Sequence, residues 1–329
     1  MEILSASDAD LQKAAAALAV GLLVAFPTET VYGLGADAFN GMALGKVFQV
    51  KNRPHFDPLI IHIADMDILP RVASIACLGD ACRQRLSILT EKLWPGPLTL
   101  VLPKQKEVPD LATAGLPTVA LRYPSHPVAQ KLIRLSAGAV AAPSANPFGF
   151  LSPTRAEHVR KQLGDRVDFI IDGGKTELGL ESTVLNLSGE IPVILRLGGT
   201  SRETIQELIG PVEVSVEPVQ SFPNSPGQLK SHYAPRTALV IHKRGDLASI
   251  PEEAGEGRLY FSSVKKTIAA ERTRVLSQKG DLTEAAANFF EMLHELDGLG
   301  LKLIRAEEAP PYGLGEAIND RLRRAASKT

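Results

Sequence analysis

From the N-terminus to about residue 210, short apolar, β-branched runs alternate with helical patterns, and polar or turn-forming segments separate them. Such a chain can bury its strands only by covering a sheet with helices, which restricts it to α/β architectures. The candidate strands are Leu22–Phe26, Leu59–Ile63, Leu98–Leu102, Val119–Arg122, Ala139–Ala142, Phe169–Ile171, Thr183–Leu187 and Val193–Leu195. Helical patterns cover Ala43–Val50, Ala81–Leu93, Val128–Leu135, Arg155–Leu163 and Glu203–Ile209. Thr154 and Glu157 are spaced as a capping box opening the fourth of these. The connections are too varied for a simple parallel alternation, so the pattern predicts a mixed, twisted sheet with helices on its faces.

Past Val212 the texture changes. The stretch QSFPNSPGQLKSHYAP is rich in Pro, Ser and Gly and reads as an interdomain linker. Strand-like runs at Ala238–His242, Arg258–Phe261, Arg274–Leu276 and Leu301–Ile304, with helices at Leu282–Leu296 and Ile318–Ala326, then predict a small α/β, Rossmann-like domain. The expected division is 1–211, a linker at 212–235, and 236–329. At 329 residues the chain can hold two cores. With 44% hydrophobic residues, 22% charged and a net charge of −1, it is neither disordered nor drawn as a whole to nucleic acid or anionic membrane.

The apolar stretch Ala14–Phe26 resembles a signal-peptide core, but acids precede it and it is too short to span a bilayer. It reads instead as a helix capped by Ser7 and closed by Gly21, followed by a buried strand. Cys77 and Cys82 fit neither a redox pair nor a zinc knuckle, and packed or partly exposed helix thiols are the expectation. With no targeting signal, a reducing, cytoplasmic setting is expected.

Several local strings imitate known motifs. Gly33-Leu34-Gly35 lies six residues from its strand, too far to set a phosphate on a helix N-terminus. Gly174-Lys175-Thr176 would need a glycine at position 169, which is Phe169. The seven histidines show no metal-ligand spacing, and Ser144 lacks the glycines of a nucleophile elbow.

What remains is a set of polar loops at strand ends. Pro27 to Gly35 offers hydroxyls and backbone N–H groups suited to an anionic or zwitterionic ligand, or simply makes a tight turn. Lys51-Asn52-Arg53-Pro54 ends a helix where cations are common for dipole reasons alone; Pro54 and Asp57-Pro58 nonetheless stiffen it toward a two-cation phosphate clamp. Thr118 and Arg122 flank an apolar strand, and a buried Arg122 needs an anion. Pro143-Ser144-Ala145-Asn146, Ser152-Pro153-Thr154, Glu181-Ser182-Thr183 and Arg196-Leu197-Gly198-Gly199 complete a basic, hydroxyl-lined pocket without an evident protein nucleophile.

PTETVYGLG, KNRP, WPGPLTLVL, TAGLPTVALRYPSHP, APSAN followed by SPT, and ESTVLN closely resemble the YrdC-like family. SPGQLKSHYAP and GLGEAINDRLRRAA resemble the linker and small domain of its longer branch, the two-domain threonylcarbamoyl-AMP synthases. The resemblance implies a YrdC-like catalytic domain that condenses L-threonine, bicarbonate and ATP into threonylcarbamoyl-AMP and pyrophosphate, a nucleotidyl transfer. A downstream transferase complex would move the threonylcarbamoyl group to tRNA, with at most a weak tRNA contact here and none to membrane. Mg2+ is expected chiefly on the ATP phosphates, with no protein metal site.

Carried over by position, Lys51 and Arg53 would hold the phosphates and stabilise the leaving pyrophosphate. Thr118, Ser144, Asn146, Ser152, Arg196 and Tyr233 would line the nucleotide site, with Asp57 nearby. Thr30, His62, Arg122, Ala142 and Ser182 would hold threonine. Leu197 and Asp57 depart from the proline and asparagine that many relatives carry at these positions. Two alternatives stand beside this reading. One is a double-stranded RNA binder of the same fold, its cations reading phosphate backbones. The other is a carbamoyl-adenylate former, whose usual zinc-finger and acylphosphatase segments are absent from this sequence.

Overall fold

A computed structural model describes residues 1–215, 233–263 and 269–327. Ser225-Pro226-Gly227 and His232, singled out in the linker, lie outside the described residues. Two sheets organise the rest. The first has eleven strands in the order Glu2–Leu4, Phe169–Ile171, Val24–Phe26, Gly33–Asp37, Ala139–Ala141, Ile60–Ile63, Thr118–Arg122, Leu98–Pro103, Thr183–Asn186, Val193–Arg196 and Glu213–Val214. Parallel and antiparallel pairs mix, as the irregular connections require. The second sheet is wholly parallel, in the order Ala238–His242, Leu303–Glu307, Glu256–Tyr260 and Thr273–Val275. No described helix is long and apolar enough to cross a membrane.

Strand periodicity explains where the site lies. Ile61, Leu121, Leu100 and Leu185 point to one face and are buried in the main core. Their neighbours on the other face, Ile60, Ala120, Val101 and Val184, form only a small apolar floor. On that face a row crosses five strands in register: His62, Arg122, Thr99, Val184 and Arg196. Polar side chains in such a row must find partners or a ligand.

The C-terminal unit packs against the loops that border this face. Helices Leu282–Asp297 and Leu314–Ala326 supply about half of a core that also takes in Val31, Leu151 and Leu180 from the loops of the first unit, together with Tyr233. Between the units, Arg155 pairs with Glu291 at 2.6 Å and Arg202 with Glu316 at 2.9 Å.

Local expectations are corrected at three places. Gly33–Asp37 is a central strand, not a loop. Its glycines serve close packing: a Cβ at Gly35 would stand 2.8 Å from the Phe26 ring and 2.9 Å from Val140. The Thr154–Glu157 capping box does not form, because the helix begins at Ala156 with Arg155 as its cap. The Thr154 hydroxyl instead lies 3.3 Å from Nδ1 of His158. Finally, the expected linker starts inside the sheet, since Glu213–Val214 pairs with Val193–Ile194. By contrast Ser7 caps the first helix as expected, accepting from the Asp10 N–H.

Candidate active site

The pocket opens on the five-strand row. Its walls come from strand ends, from the loops that follow them, where backbone groups are left without ladder partners, and from the turn after the helix Gly41–Lys51. Thr28, Thr30, Val31, Gly33, Arg53, Ile60, His62, Arg122, Ala142, Pro143, Ser144, Glu181, Ser182, Arg196 and Tyr233 line it. Ala142 is held by its N–H to Ile60 O at 2.9 Å, and Pro143 O accepts from Leu34 N at 2.8 Å. The Thr28 hydroxyl donates to Val31 O at 2.7 Å, which folds the Thr28–Val31 turn against the opening.

The helix Gly41–Lys51 ends at Asn52 in the left-handed conformation (φ 50°), and this turn aims the two cations differently. Lys51 is fully buried and its ammonium donates to the carbonyls of Ser144 and Asn146. Burial, followed by the nearby Arg53, holds its pKa well below the usual lysine value. Arg53 reaches the pocket wall. Its Nη2 lies 2.9 Å from Asp57 Oδ2, while Nε and Nη2 donate to the carbonyls of Asp57 and Pro58 at 3.0 and 2.7 Å. Burial pushes the Asp57 carboxyl up, and Arg53 pulls it back. Asp57 therefore neutralises Arg53 from behind and does not face the pocket.

Arg122 Nη2 lies 2.8 Å from Glu29 Oε1, so the anion that a buried arginine needs is already supplied by this chain. Arg196 donates from Nε and Nη2 to Ser182 O at 3.0 and 2.9 Å, and from Nη2 to the Ser182 hydroxyl at 3.0 Å. That hydroxyl also lies 2.7 Å from Thr99 Oγ1. Burial, then Arg122, pushes His62 down to about 3, so its ring is neutral at physiological pH. Tyr233 is 1% exposed, with φ 63°. Burial raises its hydroxyl above the ordinary tyrosine value.

Nine of the expected residues thus share the lining: Arg53, Ser144, Arg196, Tyr233, Thr30, His62, Arg122, Ala142 and Ser182. The other five stand behind or beside it. Lys51 and Asp57 are placed above. Asn146 is buried, its amide donating to the carbonyls of Pro147 and Phe150. Ser152 donates to Glu181 Oε1 at 2.5 Å. Thr118 is half-buried, on the same strand face as Ala120 and Arg122. Glu29 escaped sequence reasoning because it sat inside a string already read as a hydroxyl loop, and Glu181, placed in the pocket with Ser182 and Thr183, received no role of its own. Arg321 escaped it too, although an arginine at the spacing of Ile318 and Ala325 on one helix stripe is a readable oddity.

Three buried guanidinium groups, a neutral imidazole and several hydroxyls define a site for an anionic, hydrogen-bonding ligand in a two-unit α/β protein. The family model described as Telomere recombination matches residues 16–198, and that described as Threonylcarbamoyl-AMP synthase, C-terminal domain matches residues 200–327. The chain is 40% identical over 333 residues to the threonylcarbamoyl-AMP synthase of Bacillus subtilis, covering 98% of this chain and 94% of that one. It is 40% identical over 317 residues to that of Pyrococcus abyssi, covering 93% and 91%. The crystal structure of P. abyssi Sua5 complexed with L-threonine matches with a TM-score of 0.90 at 38% identity, covering 99% of this chain and 98% of that chain. The chain belongs to the threonylcarbamoyl-AMP synthase family.

Proposed function

We propose that this chain makes threonylcarbamoyl-AMP and pyrophosphate from L-threonine, bicarbonate and ATP. The observation that carries the reading is the row of buried polar side chains over an apolar floor, Arg122 and the neutral His62 at one end and Arg196 at the other, in a chain of this family. The amine of threonine takes up the carbon of bicarbonate with loss of water, and the resulting carbamate oxygen attacks the α-phosphorus as pyrophosphate leaves. Such a step asks for alignment and charge neutralisation, not for a protein nucleophile.

Threonine sits among Thr30, His62, Arg122, Ala142 and Ser182, its carboxylate sharing Arg122 with Glu29. ATP runs along Arg53, Ser144, Arg196 and Tyr233, its phosphates on Arg53. Lys51, Asn146 and Ser152 stiffen that wall, Asp57 tempers Arg53, and Thr118 stands where the same face meets solvent. Mg2+ enters on the triphosphate. It is carried by phosphate oxygens and water. The first unit, which takes in the strand Glu213–Val214, acts as catalytic domain and 236–329 as its cover, with Tyr233 serving as lid. A cytoplasmic setting and a transferase complex that takes the product to tRNA belong to the same reading.

Double-stranded RNA binding is disfavoured because Arg53, Arg122 and Arg196 are 7%, 3% and 5% exposed, out of reach of a duplex backbone. The test is mass-spectrometric detection of threonylcarbamoyl-AMP, with threonine and bicarbonate omitted in turn. Product that persists without either one rejects the reading.

A further inference from the structure

We propose that Arg321, on the C-terminal helix, is a positioning residue for the nucleotide half of the active site; this rests on the reading of the pocket given above. Arg321 is fully buried, and one guanidinium meets four partners. Nε donates to Glu181 Oε2 at 2.9 Å, Nη1 to Asp320 Oδ2 at 2.6 Å and Nη2 to Leu197 O at 2.7 Å. Its carbon lies 4.8 Å from the centroid of the Tyr233 ring. Glu181 and Tyr233 line the pocket, and Leu197 directly follows Arg196, which does too. The other oxygen of Glu181 is taken by Ser152. A single side chain from the C-terminal unit therefore fixes three separate stretches of the pocket wall.

Other polar contacts between the units differ in kind. Arg202 with Glu316, Arg155 with Glu291, and Gly313 N–H with Glu203 Oε1 (3.2 Å) involve no lining residue. They dock the unit, whereas Arg321 also sets the charge of the pocket. It is the ion-pair partner of Glu181, a carboxylate that would otherwise face a triphosphate with only the nearby Arg196 to offset it in a low-dielectric site. Holding the Leu197 carbonyl also fixes the turn after Arg196, where this chain lacks the stiffening of a proline.

This account predicts a signature that a simple staple lacks. In the full chain, Arg321→Met should raise KM for ATP about tenfold or more while KM for threonine stays within about twofold, because only the triphosphate meets the exposed Glu181 charge. Adding Glu181→Gln removes that charge and should recover most of the ATP KM. Arg321→Lys, which keeps a cation but not the fork, should fall between; with Glu181→Gln it serves as the folded pair where Arg321→Met does not fold. A wild-type ATP KM in Arg321→Met overturns the proposal. So does a parallel rise of both KM values that Glu181→Gln fails to relieve. Failure of the wild-type chain to make threonylcarbamoyl-AMP would instead reject the functional reading itself.

Discussion

Arg53 shows how one side chain carries both fold and chemistry. Its guanidinium lines the pocket while Asp57 sits 2.9 Å behind it, both nearly inaccessible. Arg53→Ala should lower kcat/KM by about 10²–10³, as loss of a preorganised donor does. It should also destabilise the chain by about 3–5 kcal/mol, since Asp57 is left buried and unpaired. Adding Asp57→Asn separates the two: denaturant unfolding should recover, turnover should not. Recovery of both would make Arg53 merely a partner of Asp57. The lysine and arginine of KNRP were legible as a pair of cations. That one grips carbonyls and the other the pocket depended on the left-handed turn at Asn52.

At the scale of elements, strands were more legible than turns. Phe169–Ile171 and Ala238–His242 fall where apolar, β-branched runs place them. Gly33–Asp37 does not, because glycine signals both a turn and close packing within a sheet, and only the neighbours decide. The turn after Val193–Arg196 is a case of the second kind. A Cβ at Gly198 would stand 2.4 Å from Glu181 O and 2.5 Å from Ser182 O. Backbone opposes backbone there, so nothing flexible can give way. Gly198→Ala should therefore push the Arg196 turn off the Glu181–Ser182 loop. The expected outcome is a loss of about 1–3 kcal/mol of stability with a disproportionate fall in adenylate formation. Measured turnover that tracks only the folded fraction would count against a role for this contact in the site.

For the whole molecule, the question is what the second unit adds. Tyr233 lines the pocket and also packs on Phe290, with ring centroids 5.8 Å apart, so one residue touches both the pocket and the C-terminal core. Tyr233→Ala should weaken ATP binding and increase futile hydrolysis of the adenylate, as removal of a water-excluding cover does. Titration calorimetry and AMP release in excess of product check this; wild-type values for both would leave Tyr233 as packing alone. Truncation near Gly210 is a poorer test, because it strips the cover from Val31, Leu151 and Leu180.

The boundary between the units should also respond to acid. His158 and His294 stack there with centroids 4.0 Å apart. Burial lowers them from the ordinary 6.5 to about 4 and about 3. Below pH 6.5 the unfolded chain binds their protons while the folded chain still excludes them. Their contribution to stability is thus present above the unfolded value and is lost as pH falls toward 4 and 3. Melting temperature should drop over this window, and His294→Phe should flatten the drop. An unchanged slope would assign the acid loss to other groups.

By itself the sequence settled the α/β class, two units, most strands and the polar loops, because each follows from the spacing of apolar residues and turn formers over a few positions. Family resemblance rested on the same contiguous strings. Tertiary structure alone decided which side chains face one another. His62, Arg122, Thr99, Val184 and Arg196 are far apart in the chain and meet only through strand register. Arg321 reaches Glu181 across 140 residues. No local pattern encodes such a meeting, because it depends on how the two cores pack.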